Sequence, residues 1–408
     1  MVDLAKAPFP YHRQPVKTLY LTYFALSTLF VRVPYWLFAA SIPALRPRRD
    51  WPFKRAFIVP LMRATVRVLF TVGFPTAPDP ADVQPTPKDI ERGFVQLPPV
   101  DAELIVGEVK EIAEVNGVEA KATYGYWYKA KGVEGRGDHP AREGELVVLN
   151  FHGGGYCVET PSPSGMAAPG VCAGILSHCA PRVTRVFSAA YRLVSSDPFP
   201  RKNAFPAALL DALAAYRYLV HTLGVPPQNV VVAGDSAGGH LALTLARYLA
   251  GAGIAVLPPP GALLLTSPSV EWAVTHDGEG ASWRGNWRTD VCMPFFETEY
   301  TARGLAGNLP PDAVRTNAWI SPASRKLPEK TVEGLLSGLP RTLVIVGEGE
   351  TPRDGMRTFR DRLVADIGEE CVRYVEIEGA THDVIGVPWY DEHTEAAFRA
   401  IGDWTATL

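Results

Sequence analysis

Residues Asn229–Gly239 read Asn-Val-Val-Val-Ala-Gly-Asp-Ser-Ala-Gly-Gly. An apolar, β-branched run stops at a Gly-x-Ser-x-Gly turn, and the Ala/Leu-rich stretch Leu241–Ala250 follows at once. Strand, tight turn and helix in that order leave few folds open. The turn needs glycine where backbones approach closely, and it holds Ser236 out on a strained elbow. A serine hydroxyl is a poor nucleophile unless it is positioned and its proton removed. The rest of the chain must therefore supply a base, an acid and donors for the charge that develops.

From Asp101 onward, strand-like and helix-like segments alternate. Glu145–Phe151, Val183–Tyr191, Asn229–Ala233, Ala262–Thr266, Arg341–Val346 and Val372–Ile377 are short, apolar and rich in Val, Ile and Leu. Phe205–Leu223 has the pattern of an amphipathic helix. Glu108–Val115 and Ala120–Lys129 read as an opening antiparallel strand pair. The alternation predicts an α/β fold with a mostly parallel sheet and helices on both faces. In such sheets, working loops lie at the carboxyl ends of the strands.

Four pieces of a site fall at those ends. Phe151-His152-Gly153-Gly154-Gly155-Tyr156 follows a strand, and its glycines let backbone N–H groups converge on one point. Gly153, Gly154, Gly155 and the Ala237 N–H are the candidate oxyanion donors. A phosphate loop is the competing reading, but neither Gly-Lys-Ser/Thr nor Gly-x-Gly-x-x-Gly is present. His382, in Gly379-Ala380-Thr381-His382-Asp383, is the candidate base; His240 and His276 are its rivals. For the acid, Glu348, Glu350 and Asp354 all follow the Arg341–Val346 strand. Asp235 reads as a residue that steadies the elbow.

The net charge is −3, which gives no reason to expect a nucleic-acid partner. Yet residues 1–75 carry eleven Lys/Arg against two acids. Thr18–Val31 is mostly apolar, Arg32 interrupts it, and Tyr35–Ile42 is apolar again before Arg46-Pro47-Arg48-Arg49. A signal peptide would carry a small-residue cleavage site where these arginines stand. With its aromatic residues beside the basic cluster, Thr18–Leu45 reads as a membrane-associated segment, the alternative being amphipathic helices that close over the catalytic cleft. If it spans, the denser basic flank after it places the catalytic domain on the cytosolic side, as at the endoplasmic reticulum surface. Phe57–Phe70, with Arg63 and Arg67 one turn apart, reads as part of a lid. The expected organisation is a membrane and lid region over 1–75, a Pro-rich linker over 76–100, and a catalytic domain over 101–408 with a lid insertion at about 269–317. Trp272, Trp283, Trp287, Phe295 and Phe296 of that insertion would wall an apolar pocket. The five cysteines are scattered and match neither a disulfide framework nor a metal site, so neither metal nor cofactor is expected.

Together these motifs resemble the hormone-sensitive-lipase-like branch of the α/β-hydrolases, carboxylesterases and deacylases, from about Ile105 to the C-terminus. His152-Gly153-Gly154-Gly155 is similar to the family's oxyanion motif, Tyr191-Arg192-Leu193 to its Tyr-Arg-Leu element, and Phe205-Pro206-Ala207-Ala208 with Asp211 to the helix that follows. Gly234-Asp235-Ser236-Ala237-Gly238 resembles the family's elbow, and Ser321-Pro322 the Ser-Pro ahead of the acid strand. The family places its acid three residues after the strand-end glycine, which implies Glu350 in place of the commoner Asp. The resemblance implies an α/β-hydrolase fold with a helical lid, and a serine esterase with Ser236, Glu350 and His382 as its triad. It departs from the family in a longer Val194–Ala204 segment and in Asp-Val after His382. A lipophilic ester, such as an acetylated sterol or terpenoid, is the expected substrate. The alternatives are an acyltransferase working through the same acyl-enzyme, or a non-catalytic ligand receptor.

Overall fold

A computed structural model of the chain describes residues 8–75, 77–387 and 391–408. The first seven residues of the expected N-terminal region and the first residue of the expected linker lie outside the described residues.

Eight strands form one sheet: β1 (Phe94–Leu97), β2 (Thr123–Lys129), β3 (Leu146–Phe151), β4 (Val183–Ala189), β5 (Val230–Asp235), β6 (Ala262–Thr266), β7 (Arg341–Gly347) and β8 (Val372–Ile377). Their order is β1-β2-β4-β3-β5-β6-β7-β8, with β2 antiparallel to both neighbours and all later pairs parallel. Alternate residues point to opposite faces of a strand. Thus Val147, Leu149, Val230, Val232, Leu263, Leu265, Val344 and Val346 pack into one core, while Leu146, Val148, Val231, Ala233, Ala262, Leu264, Leu343 and Ile345 pack into the other. Burial on both faces is why these strands read as continuous apolar runs.

The helices that matter for the site are α1 (Val16–Ser41), α2 (Phe53–Val72), α3 (Gly107–Asn116), α4 (Ala168–His178), α5 (Ala207–Arg217), α6 (Ala237–Gly251), α7 (Arg353–Ile367) and α8 (Glu392–Thr405). Helices α5, α6 and α7 cover the first face, and α4 and α8 the second.

Two expectations are corrected. Glu108–Val115 is helical, within α3: Val109, Ile112 and Ala113 are buried at helical spacing, and Gly117 ends the helix at φ +61°. The antiparallel partner of β2 is instead β1, in register Phe94↔Tyr126. That strand lies inside the stretch expected to be a linker, which also holds a capping box at Thr86 and Asp89.

Helix α1 runs through a π-type turn at Thr28–Arg32. Among the described residues it is the one helix long and apolar enough to cross a membrane, with a mean hydropathy of 1.3 and little of its most apolar stretch buried. Tyr20, Phe24, Arg32, Trp36, Ala39 and Ala40 face the protein, at a spacing of three to four residues. Leu19, Tyr23, Leu26, Phe30, Tyr35 and Phe38 face outward and are exposed. The arginine that interrupts the apolar run therefore sits on the inner face.

Candidate active site

The elbow is forced by packing. A Cβ at Gly234 would come within 2.2 Å of the Gly238 carbonyl, and one at Gly238 within 2.0 Å of the Phe151 carbonyl. The nucleophile position between them carries φ +53° and ψ −116°, a conformation costing about 1–3 kcal/mol that the surrounding strand and helix must hold in place. Ser236 caps α6 and faces a cavity of about 130 Å³.

Turns after β7 and β8 bring two partners to it. Ser236 Oγ lies 2.8 Å from His382 Nε2, and His382 Nδ1 donates to Glu350 Oε2 at 2.7 Å. Glu350 is fully buried, and its other oxygen accepts from the Gly347 N–H (2.5 Å) and the Ser267 hydroxyl (2.6 Å). Asn286 holds the same turn by donating to the carbonyls of Glu348 and Glu350. Burial raises the Glu350 carboxyl, against the pull of His382. Burial also works against a charged imidazole, yet the Glu350 carboxylate outweighs it and holds His382 well above its usual value. Cys292 was not foreseen in this place; its thiol, pushed up to about 12 by burial, stays neutral.

The other candidate acids stand elsewhere. Glu348 accepts from Arg48 (2.8 Å) and from the Gly379 N–H (2.9 Å), and Asp354 accepts from the Ser282 N–H (2.8 Å). The rival histidines are also engaged. His240 contacts the Tyr156 hydroxyl at 2.8 Å, and burial lowers it to about 4. His276 sits between Glu271 (2.5 Å) and Thr358 (2.8 Å).

Gly154 and Gly155 line the cavity with positive φ, +94° and +62°. Their carbonyls are taken by the Cys157 N–H and the Thr301 hydroxyl. The N–H groups of Gly154, Gly155 and Ala237 donate to no protein acceptor among the described residues. Three unused donors beside a serine hydroxyl are what an oxyanion requires. Gly153 is placed differently: a Cβ there would sit 2.3 Å from Asp235 Oδ2, so its role is to let the loop close over that carboxyl. Asp235 faces Asp383, the residue after His382, and burial together with that second carboxyl raises it well above the usual range.

Trp272, Phe295 and Phe296 wall the cavity as expected, joined by Val291, Cys292 and, from α2, Met62 and Val66. Two tryptophans are not in that wall. Trp283 packs edge-on behind Phe296 (5.8 Å), and Trp287 is 47% exposed under the Arg63 guanidinium. The Tyr191-Arg192-Leu193 element is anchored from α5, where Asp211 accepts from the Arg192 backbone at 2.7 Å and from its guanidinium at 3.0 Å.

The N-terminal arm reaches the same turns. Trp51 Nε1 donates to the Gly379 carbonyl at 2.8 Å, Arg48 bonds Glu348, and Arg55 pairs with Asp391. These contacts span about 300 residues or more of sequence, so no local pattern announces them.

A family profile for the alpha/beta hydrolase fold matches residues 148–386. An acetyl-hydrolase of Streptomyces hygroscopicus is 33% identical over 223 residues, covering 54% of this chain and 62% of that protein. A versiconal hemiacetal acetate esterase of Emericella nidulans is 28% identical over 242 residues, covering 56% of this chain and 71% of its own. The match thus spans less than two thirds of the acetyl-hydrolase. Among solved structures, an esterase from the bacterial hormone-sensitive lipase family superposes with a TM-score of 0.53 at 22% identity, covering 92% of this chain and 97% of the other.

Proposed function

The chain belongs to the α/β-hydrolase family, in its hormone-sensitive-lipase-like branch, and from that footing we propose that it is a serine carboxylesterase that removes a short acyl group, such as acetyl, from a lipophilic alcohol. The observation that carries this reading is the row Glu350–His382–Ser236, bonded at 2.7 and 2.8 Å beside an apolar cavity. His382 takes the Ser236 proton as Oγ attacks the ester carbonyl. The oxyanion is held by the N–H groups of Gly154, Gly155 and Ala237. His382 then returns the proton to the leaving alcohol, and a water activated by the same imidazole cleaves the acyl-enzyme.

Cavity size supports a short acyl group. At about 130 Å³ it is close to the volume at which an apolar protein cavity accepts benzene, too small for a long chain. The names of two relatives, acetyl-hydrolase and hemiacetal acetate esterase, agree with that choice.

The outward face of α1, apolar and free of charge, suits attachment to a membrane surface, and the exposed Arg49 and Lys54 that follow favour an anionic, cytosolic leaflet. A lipophilic ester would reach the enzyme from that surface.

A fluorophosphonate probe tests the chemistry. It should label the protein and fail to label Ser236→Ala; labelling that survives the substitution ends the esterase reading. Leu26→Glu with Phe30→Glu tests attachment, and should release the protein from neutral vesicles in flotation.

A further inference from the structure

A second recess, about 480 Å³, lies between α1 and α2 and is lined by neither Ser236 nor His382. Its apolar lining comes from Tyr20, Phe24, Trp36 and Phe70. Three guanidiniums also line it: Arg32 from α1, and Arg63 and Arg67 from successive turns of α2. Arg32 lies over the Phe24 ring and donates to Thr28 at 3.3 Å. Arg63 donates to the Trp287 carbonyl at 2.8 Å, and Arg67 makes no side-chain hydrogen bond among the described residues. None of the three is ion-paired there, whereas Arg48 and Arg55 of the same arm are paired with Glu348 and Asp391. Glu297 is the acid lining the recess, and Asp290 acts on Arg63 from further off. Burial, with Arg67 and Arg288 nearby, lowers Arg63 to about 10. Three like charges gathered in a partly apolar groove, against one lining acid and with no ion pair among the described residues, call for an anion that also brings hydrocarbon.

We propose that this groove binds an anionic phospholipid, its phosphate held by Arg32, Arg63 and Arg67 and its first acyl segment laid along Tyr20, Phe24 and Trp36. The inference rests on the membrane attachment of α1 proposed above, and it adds a lipid class that attachment through apolar contact alone does not require. The inner face of α1 then has a function of its own: the outer face meets bulk lipid, and the inner face takes one lipid from it.

The test uses the full chain and a soluble probe, dihexanoylphosphatidic acid below its micelle concentration. It should raise the melting temperature, dihexanoylphosphatidylcholine should do so less, and inorganic phosphate should not. Arg67→Gln should weaken half-saturation about fivefold, the effect of one basic residue near an anionic surface. Arg373→Gln, an exposed arginine on β8 outside the groove, should leave it unchanged. The melting temperature without ligand shows whether each variant is folded. Arg67→Gln is preferred to Arg63→Gln because it breaks no described hydrogen bond. No response to phosphatidic acid, an equal response in Arg67→Gln, or an equal response to inorganic phosphate would each overturn the proposal. Flotation with neutral phosphatidylcholine vesicles reads attachment separately. Loss of flotation with an Arg67-dependent lipid response retains the groove and removes the anchor; the converse removes the groove alone.

Discussion

Trp51 hydrogen-bonds the backbone of Gly379, three residues before His382, and so ties the arm between α1 and α2 to the turn that carries the imidazole. Trp51→Phe keeps an aromatic ring but loses the indole N–H and leaves a buried carbonyl without its donor, at a cost of about 1–3 kcal/mol. The expected outcome is a lower melting temperature and a kcat reduced about tenfold, with KM little changed, because displacement of a catalytic group acts on the chemical step. Steady-state kinetics on a soluble acetyl ester, beside a thermal melt, check this.

Glu350→Gln should lower kcat about 10⁴-fold, as loss of the acid does in other Ser-His-acid triads. Glu348→Gln should lower it less than tenfold, since Glu348 holds Arg48 and the Gly379 N–H and does not touch His382. Equal losses in the two variants would reassign the acid. Both rates are read in the same ester assay.

Activity needs the neutral imidazole. His382 is held above its ordinary value, so the rising limb of kcat/KM against pH should lie above about 6.5. The folded protein binds that proton more tightly than the unfolded chain. The stabilisation is therefore complete below about pH 6.5 and fades as pH rises through the folded value. Removing the carboxylate in Glu350→Gln should move the kinetic limb to lower pH, which a pH–rate profile of the residual activity would show.

A Cβ at Gly155 would lie 2.2 Å from the Phe295 ring, so Phe295 closes the cavity directly over the oxyanion loop. Phe295→Ala should shift preference from acetate towards hexanoate esters by tenfold or more in relative kcat/KM, given about 1–3 kcal/mol per methylene in an apolar pocket. A chain-length series of p-nitrophenyl esters reads this out.

Asp235 and Asp383 both have raised carboxyl values: burial is the largest cause in each, the opposing carboxyl adds to it at Asp235, and His382 opposes it at Asp383. A raised folded value means that stability falls as pH rises from about 4 through that value. Asp383→Asn replaces one acid with a group that can donate to Asp235. The loss of melting temperature between pH 5 and pH 8 should therefore be smaller than in the parent.

Ser236 and His382 were legible because each stands at the end of an apolar strand, where local pattern and chain order both speak. The glycines at 154 and 155 were legible for the same reason, while Gly153 looked alike in sequence and is distinguished only by the Asp235 carboxyl against it. Glu350 could not be separated from Glu348 and Asp354 by local pattern; the family spacing chose it, and the difference between the three lies in what each one touches. Cys292, Met62 and Val66 enter the site through contacts remote in sequence, which no periodicity records. Trp287 has the aromatic character of a pocket wall in sequence, but it lies outward beneath Arg63. At Gly107–Asn116, Val109, Ala113 and Val115 share one parity and so fit an alternating strand, and only Ile112 marks the helical spacing.

Met62 and Val66 of α2 stand in the cavity wall, whereas the family profile begins only at residue 148. The catalytic row and the chamber it serves thus have different boundaries in the chain. Truncating Met62 and Val66 would keep every reacting group and leave the chamber open on one side. Selectivity among acyl groups should then relax before reactivity disappears, which would make a helix ahead of the profile a determinant of what the enzyme accepts.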